Sequence, residues 1–320
     1  MPARLMRRAA PTTIMRSLAV QRAFTRRVRA LERDRSSVLD DDVEALHRAR
    51  VASRRLREIL PVLGLERGPG RGPAAAKIGS RLRRLTRALG RVRELDVVLG
   101  ILDDLRRAHP DLSDALMAAR VRVEEDRRSR RDEMIRHLDE IQANRLAEEL
   151  SSLGEHVGHE PASSRAVLLR RRLERRADRL EAAIEAAGAL YAFDRLHLVR
   201  IAAKRLRYIL ELVHEIGRVP ALRLVNRLKR FQDLLGRLHD LEVVAGYVRR
   251  QSVGGPGTLA NGVDRVQRLL DRETRELHAV YLARVAGLVD VIARCRTELD
   301  RKLAESTPPR RLVAGSRHGG

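Results

Sequence analysis

Apolar residues recur at three- and four-residue spacing along nearly the whole chain, and alternating strand-like runs are absent. This pattern predicts an all-α protein with eight helices, four in each half. The predicted helices cover residues 12–33, 39–63, 74–108, 111–150, 163–187, 192–217, 220–250 and 261–305. Glycine- and proline-rich segments at residues 68–73, 158–161 and 254–257 separate several of them.

Long helices joined by short turns pack as up-and-down bundles. The chain of 320 residues has room for roughly two domains of about 150 residues each. We therefore predict a first four-helix bundle over residues 12–157 and a second over residues 158–305. The ends, residues 1–11 and 306–320, are expected to be disordered.

Two segments of the chain occur twice, which indicates an internal duplication with pseudo-two-fold symmetry. Residues 44–60 align with residues 194–210 at an offset of 150, and nine of the 17 aligned positions are identical. Residues 81–97 align with residues 227–243 at an offset of 146. The difference of four residues corresponds to an insertion or deletion in the loop between the two segments.

Each copy of the first repeated segment carries a basic stripe along one helix face. At about 100° per residue, the offsets 0, 3, 7 and 10 fall within an arc of roughly 80°. The residues at these offsets are His47, Arg50, Arg54 and Arg57 in one copy, and His197, Arg200, Lys204 and Arg207 in the other. Tyr208 shares this face, Arg55 and Arg205 lie at its edge, and these three rank second. Leu198, Leu206, Ile209 and Leu210 are expected on the side that faces the core.

The second repeated segment adds further cations and two glycines. The cations are Arg84, Arg91, Lys229, Arg230 and Arg237. Gly90 and Gly236 would let a backbone or a ligand come close. The acidic residues that follow, Glu94, Asp96, Asp240 and Glu242, are expected to hold arginines through ion pairs and are given no catalytic role.

The charge balance points to a polyanionic partner. Lysine and arginine number 66 against 43 acidic residues, a net charge of +23. Only four of these cations are lysines, and arginine suits bidentate phosphate contacts, although a GC-rich genome would also favour arginine. The single Cys295 fits a reducing compartment. No signal peptide or run of 18 apolar residues is present, so we expect a cytoplasmic protein that does not insert into membranes.

Three function classes remain open at this point. A phosphate-only ligand suits the residue inventory, because the chain has no tryptophan, three phenylalanines and four tyrosines for stacking on bases. A non-specific nucleic-acid or ribosome-associated binder is the alternative. The third class is a metal-dependent helical enzyme, since Glu44 and His47, and likewise Asp194 and His197, have the i,i+3 spacing of di-iron bundles. Nearby arginines oppose a metal ion, and no other catalytic motif occurs, so we expect no metal, no cofactor and no enzyme activity.

The segments 47–57, 197–208 and 235–241 resemble the CHAD family, the conserved histidine α-helical domain, and the resemblance extends over about residues 12–305. It implies two four-helix bundles around a basic channel that binds inorganic polyphosphate, often at polyphosphate granules. The thirteen first-rank residues of the two segments would then contact phosphate. Many members also carry a CYTH triphosphatase domain, whose Glu-x-Glu-x-Lys signature is missing here, so the resemblance implies a binding module. Phosphate near His47 and His197 would make affinity rise as the pH drops toward 6.

Overall fold

The computed structural model describes residues 11–63, 73–155, 162–251 and 257–305, which are helical and contain no strand. The helices are α1 (Pro11–Arg33), α2 (Arg35–Leu39), α3 (Val43–Ile59), α4 (Pro73–Ala108), α5 (Ser113–Glu140), α6 (Ala143–Glu155), α7 (Ala162–Ala187), α8 (Phe193–Glu215), α9 (Leu222–Arg249), α10 (Gly257–Arg284), α11 (Ala286–Arg294) and α12 (Asp300–Glu305). A 3₁₀ turn, Pro110–Leu112, precedes α5, and a π-helical turn, Cys295–Leu299, follows α11. The prediction of an all-α protein is confirmed. Except for Pro11, the predicted disordered ends lie outside the described residues.

Three of the predicted helices are shorter or more broken than the pattern suggested. The helix predicted over 111–150 ends at Glu140 and restarts as α6, because Gln142 adopts a positive φ of 49° that a continuous right-handed helix does not allow. The helix predicted over 39–63 starts at Val43, after Asp41 at a φ of 68°. The helix predicted over 261–305 is divided into α10, α11 and α12.

The helices of the two halves pack in the same order along the chain. In the first half α1 packs on α3, α3 on α4 and α4 on α5, while in the second half α7 packs on α8, α8 on α9 and α9 on α10. Contacts of α4 and α5 with α9, of α5 with α10, and of α3 with α8 join the two series. A symmetric pair of four-helix bundles stays a prediction.

Two hydrophobic cores hold these helices together, and both draw on the two halves. The larger core includes Phe24 and Leu56 from the first half together with Leu206 and Leu228 from the second. The smaller core lies among the far ends of α4 and α9 and the adjoining parts of α5 and α10. Packing therefore crosses the predicted boundary at residue 157, and the division into domains stays a prediction. No helix within the described ranges is long and apolar enough to cross a membrane.

Candidate anion-binding site

The basic stripes of the first repeated segment lie on α3 and α8. Asp42 caps the start of α3, where its carboxylate accepts hydrogen bonds from the backbone N–H groups of Glu44 and Ala45 at 2.8 and 3.0 Å. On the opposite side of each helix, Leu56 and Leu206 are completely buried. This burial fixes the rotation of both helices and therefore the direction in which the stripes face.

One residue of α8 does not face the core as expected. Leu198 has 55% of its surface exposed, whereas Leu206, Ile209 and Leu210 are buried. The position of Leu198 is about 80° around the helix from that of Leu206. That displacement carries its side chain past the edge of the buried face.

Four cations from the two stripes form a cluster, here called the central cluster: Arg50 and Arg54 of α3, and Arg200 and Lys204 of α8. Burial lowers the pKa of Arg50 to about 10, and the neighbouring charges of Arg54 and Arg200 contribute. Burial also lowers the pKa of Lys204 to about 6, and the three arginines add to this effect. Lys204 is therefore mostly neutral at pH 7, first because its ammonium group is buried and then because the three arginines repel a further positive charge.

Three guanidinium N–H groups on the stripes are buried without an acceptor. They are the Nε groups of Arg50, Arg200 and Arg207, none of which has a hydrogen-bond partner within the described part of the chain. Buried polar groups in proteins are nearly always hydrogen-bonded. Each of these three donors therefore lacks the acceptor that a buried N–H group normally has.

The two glycines of the second repeated segment lie against the arginines of the first. A Cβ atom placed on Gly90 of α4 would be 3.2 Å from Nε of Arg50. A Cβ atom on Gly236 of α9 would be 4.0 Å from Nε of Arg200. In both halves the glycine therefore leaves space for a guanidinium group, and this space is tighter at Gly90.

Two carboxylates at equivalent repeat positions, Glu94 and Asp240, accompany the central cluster. A hydrogen bond with His239 is the main cause that lowers the pKa of Glu94, and Arg50 and Arg200 lower it further. Burial raises the pKa of Asp240, although Arg200 acts in the opposite direction. Neither carboxylate forms an ion pair with an arginine among the described residues, in contrast to the expectation. Their negative charges partly balance the cluster from a distance.

A chain of hydrogen bonds links the two halves beside the central cluster. His197 Nδ1 lies 3.1 Å from His239 Nδ1, and His239 Nε2 lies 2.9 Å from Glu94 Oε1. With both rings neutral, His239 donates from Nε2 to the carboxylate and accepts at Nδ1, so His197 must donate from Nδ1. Phe193 stacks on His239 with ring centroids 5.4 Å apart. This arrangement orients His197 and leaves its Nε2 as the site that can take up a proton.

Within the described residues of the first half there is no such chain, although His47 occupies the equivalent helix position. The residue that aligns with His239 at the offset of 146 is Arg93. Burial lowers the pKa of His47, and the charge of Arg93 is the next largest cause. Burial likewise lowers the pKa of His197, followed by the effect of His239. Periodicity predicts no role for His239 and only an ion pair with arginine for Glu94, because only their contact across helices reveals the pairing.

Tyr208 packs beneath the cations instead of pointing into the groove. Its side chain is buried, with the guanidinium carbon of Arg54 5.6 Å and that of Arg207 4.8 Å from the ring centroid. Both distances are within the range of a cation–π interaction. The ring supports the arginines and has no free face for stacking on a base.

The remaining stripe residues lie at the two ends of the central cluster. At one end, Glu211 is 3.4 Å from Arg55 and 3.3 Å from Arg207. At the other end are Arg57, which is half-buried, and Arg205, which is exposed. Burial lowers the pKa of both.

The cations of the second segment lie farther out. Arg84 donates to Glu140 at 2.7 Å, Arg91 pairs with Glu133, and Arg237 pairs with Glu273 at 2.7 Å, so these arginines are bound to carboxylates of α5 and α10. Lys229 and Arg230 are exposed and have no ion pair in the described segments. The structure thus does not bring these five cations into the central cluster. Whether they contact a ligand stays a prediction.

No group of three histidine, cysteine, aspartate or glutamate side chains in the described ranges is arranged to hold a metal ion. Glu44 and His47 belong to no such group, and neither do Asp194 and His197. The structure therefore gives no support to the di-iron alternative.

Comparisons with known proteins agree with this architecture. The CHAD domain model matches residues 22–249, most of the chain. A crystal structure of the CHAD domain from the plant Ricinus communis is 25% identical and has a TM-score of 0.58, with 88% of this chain and 91% of that chain covered. PptA from Streptomyces chartreusis shares the fold, with a TM-score of 0.60, 13% identity, and coverage of 83% of this chain and 98% of that chain. No curated protein matches. The chain belongs to the CHAD domain family.

Proposed function

We propose that this chain is a non-enzymatic protein that binds inorganic polyphosphate at the central cluster and is located at polyphosphate granules in the cytoplasm. The observation that carries the proposal is the set of buried Nε donors on Arg50 and Arg200 within the cluster and on Arg207 beside it. Phosphate oxygens would accept these hydrogen bonds, and charge-assisted bonds of this kind are among the strong ones in proteins. The negative charge would also relieve the repulsion within the cluster.

The features around the cluster favour phosphate groups over bases. Proteins that bind single strands usually stack bases on aromatic rings. The ring of Tyr208 is buried under Arg54 and Arg207. A ligand made only of phosphates needs no such platform, because every unit offers the same charge and the same acceptors.

Calorimetric titration with long-chain polyphosphate, at two salt concentrations and with single-stranded DNA as competitor, tests this function. We expect tight binding that DNA at equal phosphate concentration does not displace. Nucleic-acid behaviour serves as a guide to the salt effect, and each neutralised phosphate contributes about 0.7 to 0.9 to the log-log slope. A cluster of cations therefore predicts a slope of several units. A slope near one, or equal displacement by DNA, would favour a generic basic surface and the nucleic-acid alternative.

The packing of Gly90 on Arg50 gives a sharp structural test. In Gly90→Ala the new methyl group would lie 3.2 Å from Nε of Arg50, so the guanidinium would have to shift by a few tenths of an ångström. We expect polyphosphate affinity to fall about fivefold. This loss is smaller than the contribution of one complete hydrogen bond to a charged group, because the bond is weakened and not removed. Gly236→Ala is the matched control, because its methyl group would lie 4.0 Å from Arg200, an ordinary contact. Equal affinities of the two variants in titration would contradict this role of Gly90.

A further inference from the structure

A second group of arginines surrounds the end of α3 that faces α7, and we call it the α7 patch. Its members are Arg57 of α3, Arg83 of α4, Arg172, Arg176 and Arg179 of α7, and Arg205 of α8. The side chains of Arg172 and Arg176 both donate to Glu58 at 3.2 Å. A cavity of about 120 Å³ lies among the side chains of Arg57, Glu58, Arg83, Arg172 and Arg176.

The α7 patch carries far more unbalanced charge than the opposite end of the cluster. Glu58 pairs with Arg172 and Arg176, and no carboxylate of the described chain lies within ion-pair distance of Arg57, Arg83, Arg179 or Arg205. At the opposite end, Glu211 pairs with Arg55 and Arg207. Glu215 there pairs with Arg26 and Arg27 of α1. The excess of positive charge is therefore larger at the α7 patch than on the α1 side.

The α7 patch is continuous with the central cluster. Arg57 follows Arg50 by two turns on the same face of α3, a distance of about 10 Å at 1.5 Å per residue. Arg57 is close enough to Arg54, Arg83 and Arg205 for the charge of each to lower its pKa, after the larger effect of burial. A flexible anion that leaves the central cluster in this direction meets cations without a gap.

We propose that the α7 patch is a second phosphate-binding subsite, which holds the part of a long polyphosphate chain that extends beyond the central cluster. This inference rests on the proposed function. It adds that long chains, and not short ones, use the α7 side of the molecule, while on the α1 side Glu211 and Glu215 already pair with arginines. Glu58 competes with the ligand for Arg172 and Arg176.

The test removes charge from the patch at two exposed positions. Arg83→Gln/Arg179→Gln breaks no ion pair among the described residues, so the fold is expected to persist. The matched control is Arg22→Gln/Arg29→Gln, which removes two exposed charges of α1 that likewise have no described ion pair. We expect about fivefold weaker binding of long-chain polyphosphate by the patch variant, from two exposed contacts. Its salt slope should drop by one to two units, while tripolyphosphate binding and the control should change less than twofold.

A variant with the opposite sign separates the subsite from general damage. Glu58→Gln keeps the side-chain shape but frees Arg172 and Arg176 from a carboxylate, so long-chain affinity should rise severalfold while tripolyphosphate affinity stays the same. The subsite would be overturned if the patch variant and the control lose affinity equally, or if Glu58→Gln leaves long-chain binding unchanged. In those cases the central cluster still stands. If the wild-type protein binds neither probe, the proposed function fails together with the subsite.

Discussion

Arg50→Ala/Arg200→Ala is expected to weaken polyphosphate binding by at least about 100-fold. Both guanidinium groups are buried and each has an Nε donor without a described partner. Hydrogen bonds to charged groups contribute about 1.5 to 3 kcal/mol each, so the loss of two amounts to about 3 to 6 kcal/mol. Calorimetric titration with long-chain polyphosphate measures this loss directly.

The control for this variant is Arg107→Ala/Arg122→Ala, which removes the same total charge from exposed positions at the far end of α4 and the middle of α5. Its affinity should stay within about threefold of wild type, because exposed ion pairs contribute little and distant charges are screened. Thermal unfolding checks that both variants remain folded. If the two variants lose affinity to the same degree, net charge and not the central cluster determines binding.

The affinity for polyphosphate is expected to fall steeply as the pH rises above 6, because of Lys204. Its pKa is about 6, lowered first by burial and then by Arg200, Arg54 and Arg50, against a smaller opposing effect of Asp240. Below pH 6 the ammonium group is already charged, and binding takes up no proton from solution. Above pH 6 the amine is neutral, and a bound polyanion favours the charged form, so binding takes up one proton. Linkage then predicts up to about a tenfold loss of affinity per pH unit.

Titrations between pH 6 and 8.5 in buffers of matched ionic strength test this dependence. Lys204→Arg provides the control, because a guanidinium stays charged through this range. The other repeat already carries Arg54 at the equivalent position. The profile of this variant should be much flatter, with only the smaller contribution of His47 and His197 near pH 6, because burial lowers the pKa of both histidines. Parallel slopes for the two proteins would show that another group binds the proton.

Helix positions and the basic stripes could be predicted from the sequence because both depend on local periodicity. α1, α4, α7, α8 and α9 begin and end within about two residues of the predicted limits. The break at Gln142 could not be predicted, since a polar residue with positive φ carries no signal comparable to glycine or proline.

Most of the chemistry of the site depends on contacts between helices. The periodicity of apolar residues along one helix contains no information about these contacts. The pattern places Lys204 on a basic face but does not show that the face is buried, so the low pKa was not foreseen. The pairing of His239 with Glu94 joins residues 145 positions apart in the sequence. Arg83 could have been found, because it aligns with Lys229 at the offset of 146.

The larger hydrophobic core has a consequence for synthesis of the chain. When the ribosome has made residues 1–157, Phe24 and Leu56 still lack the apolar side chains of α8 and α9 that complete their core. At that moment Arg50 and Arg54 are present without Arg200 and Lys204, so the central cluster is incomplete. Core and anion site are therefore completed together, after α9 has been synthesised. A nascent chain therefore completes its cluster of basic side chains only late in synthesis, after most of the chain has left the ribosome.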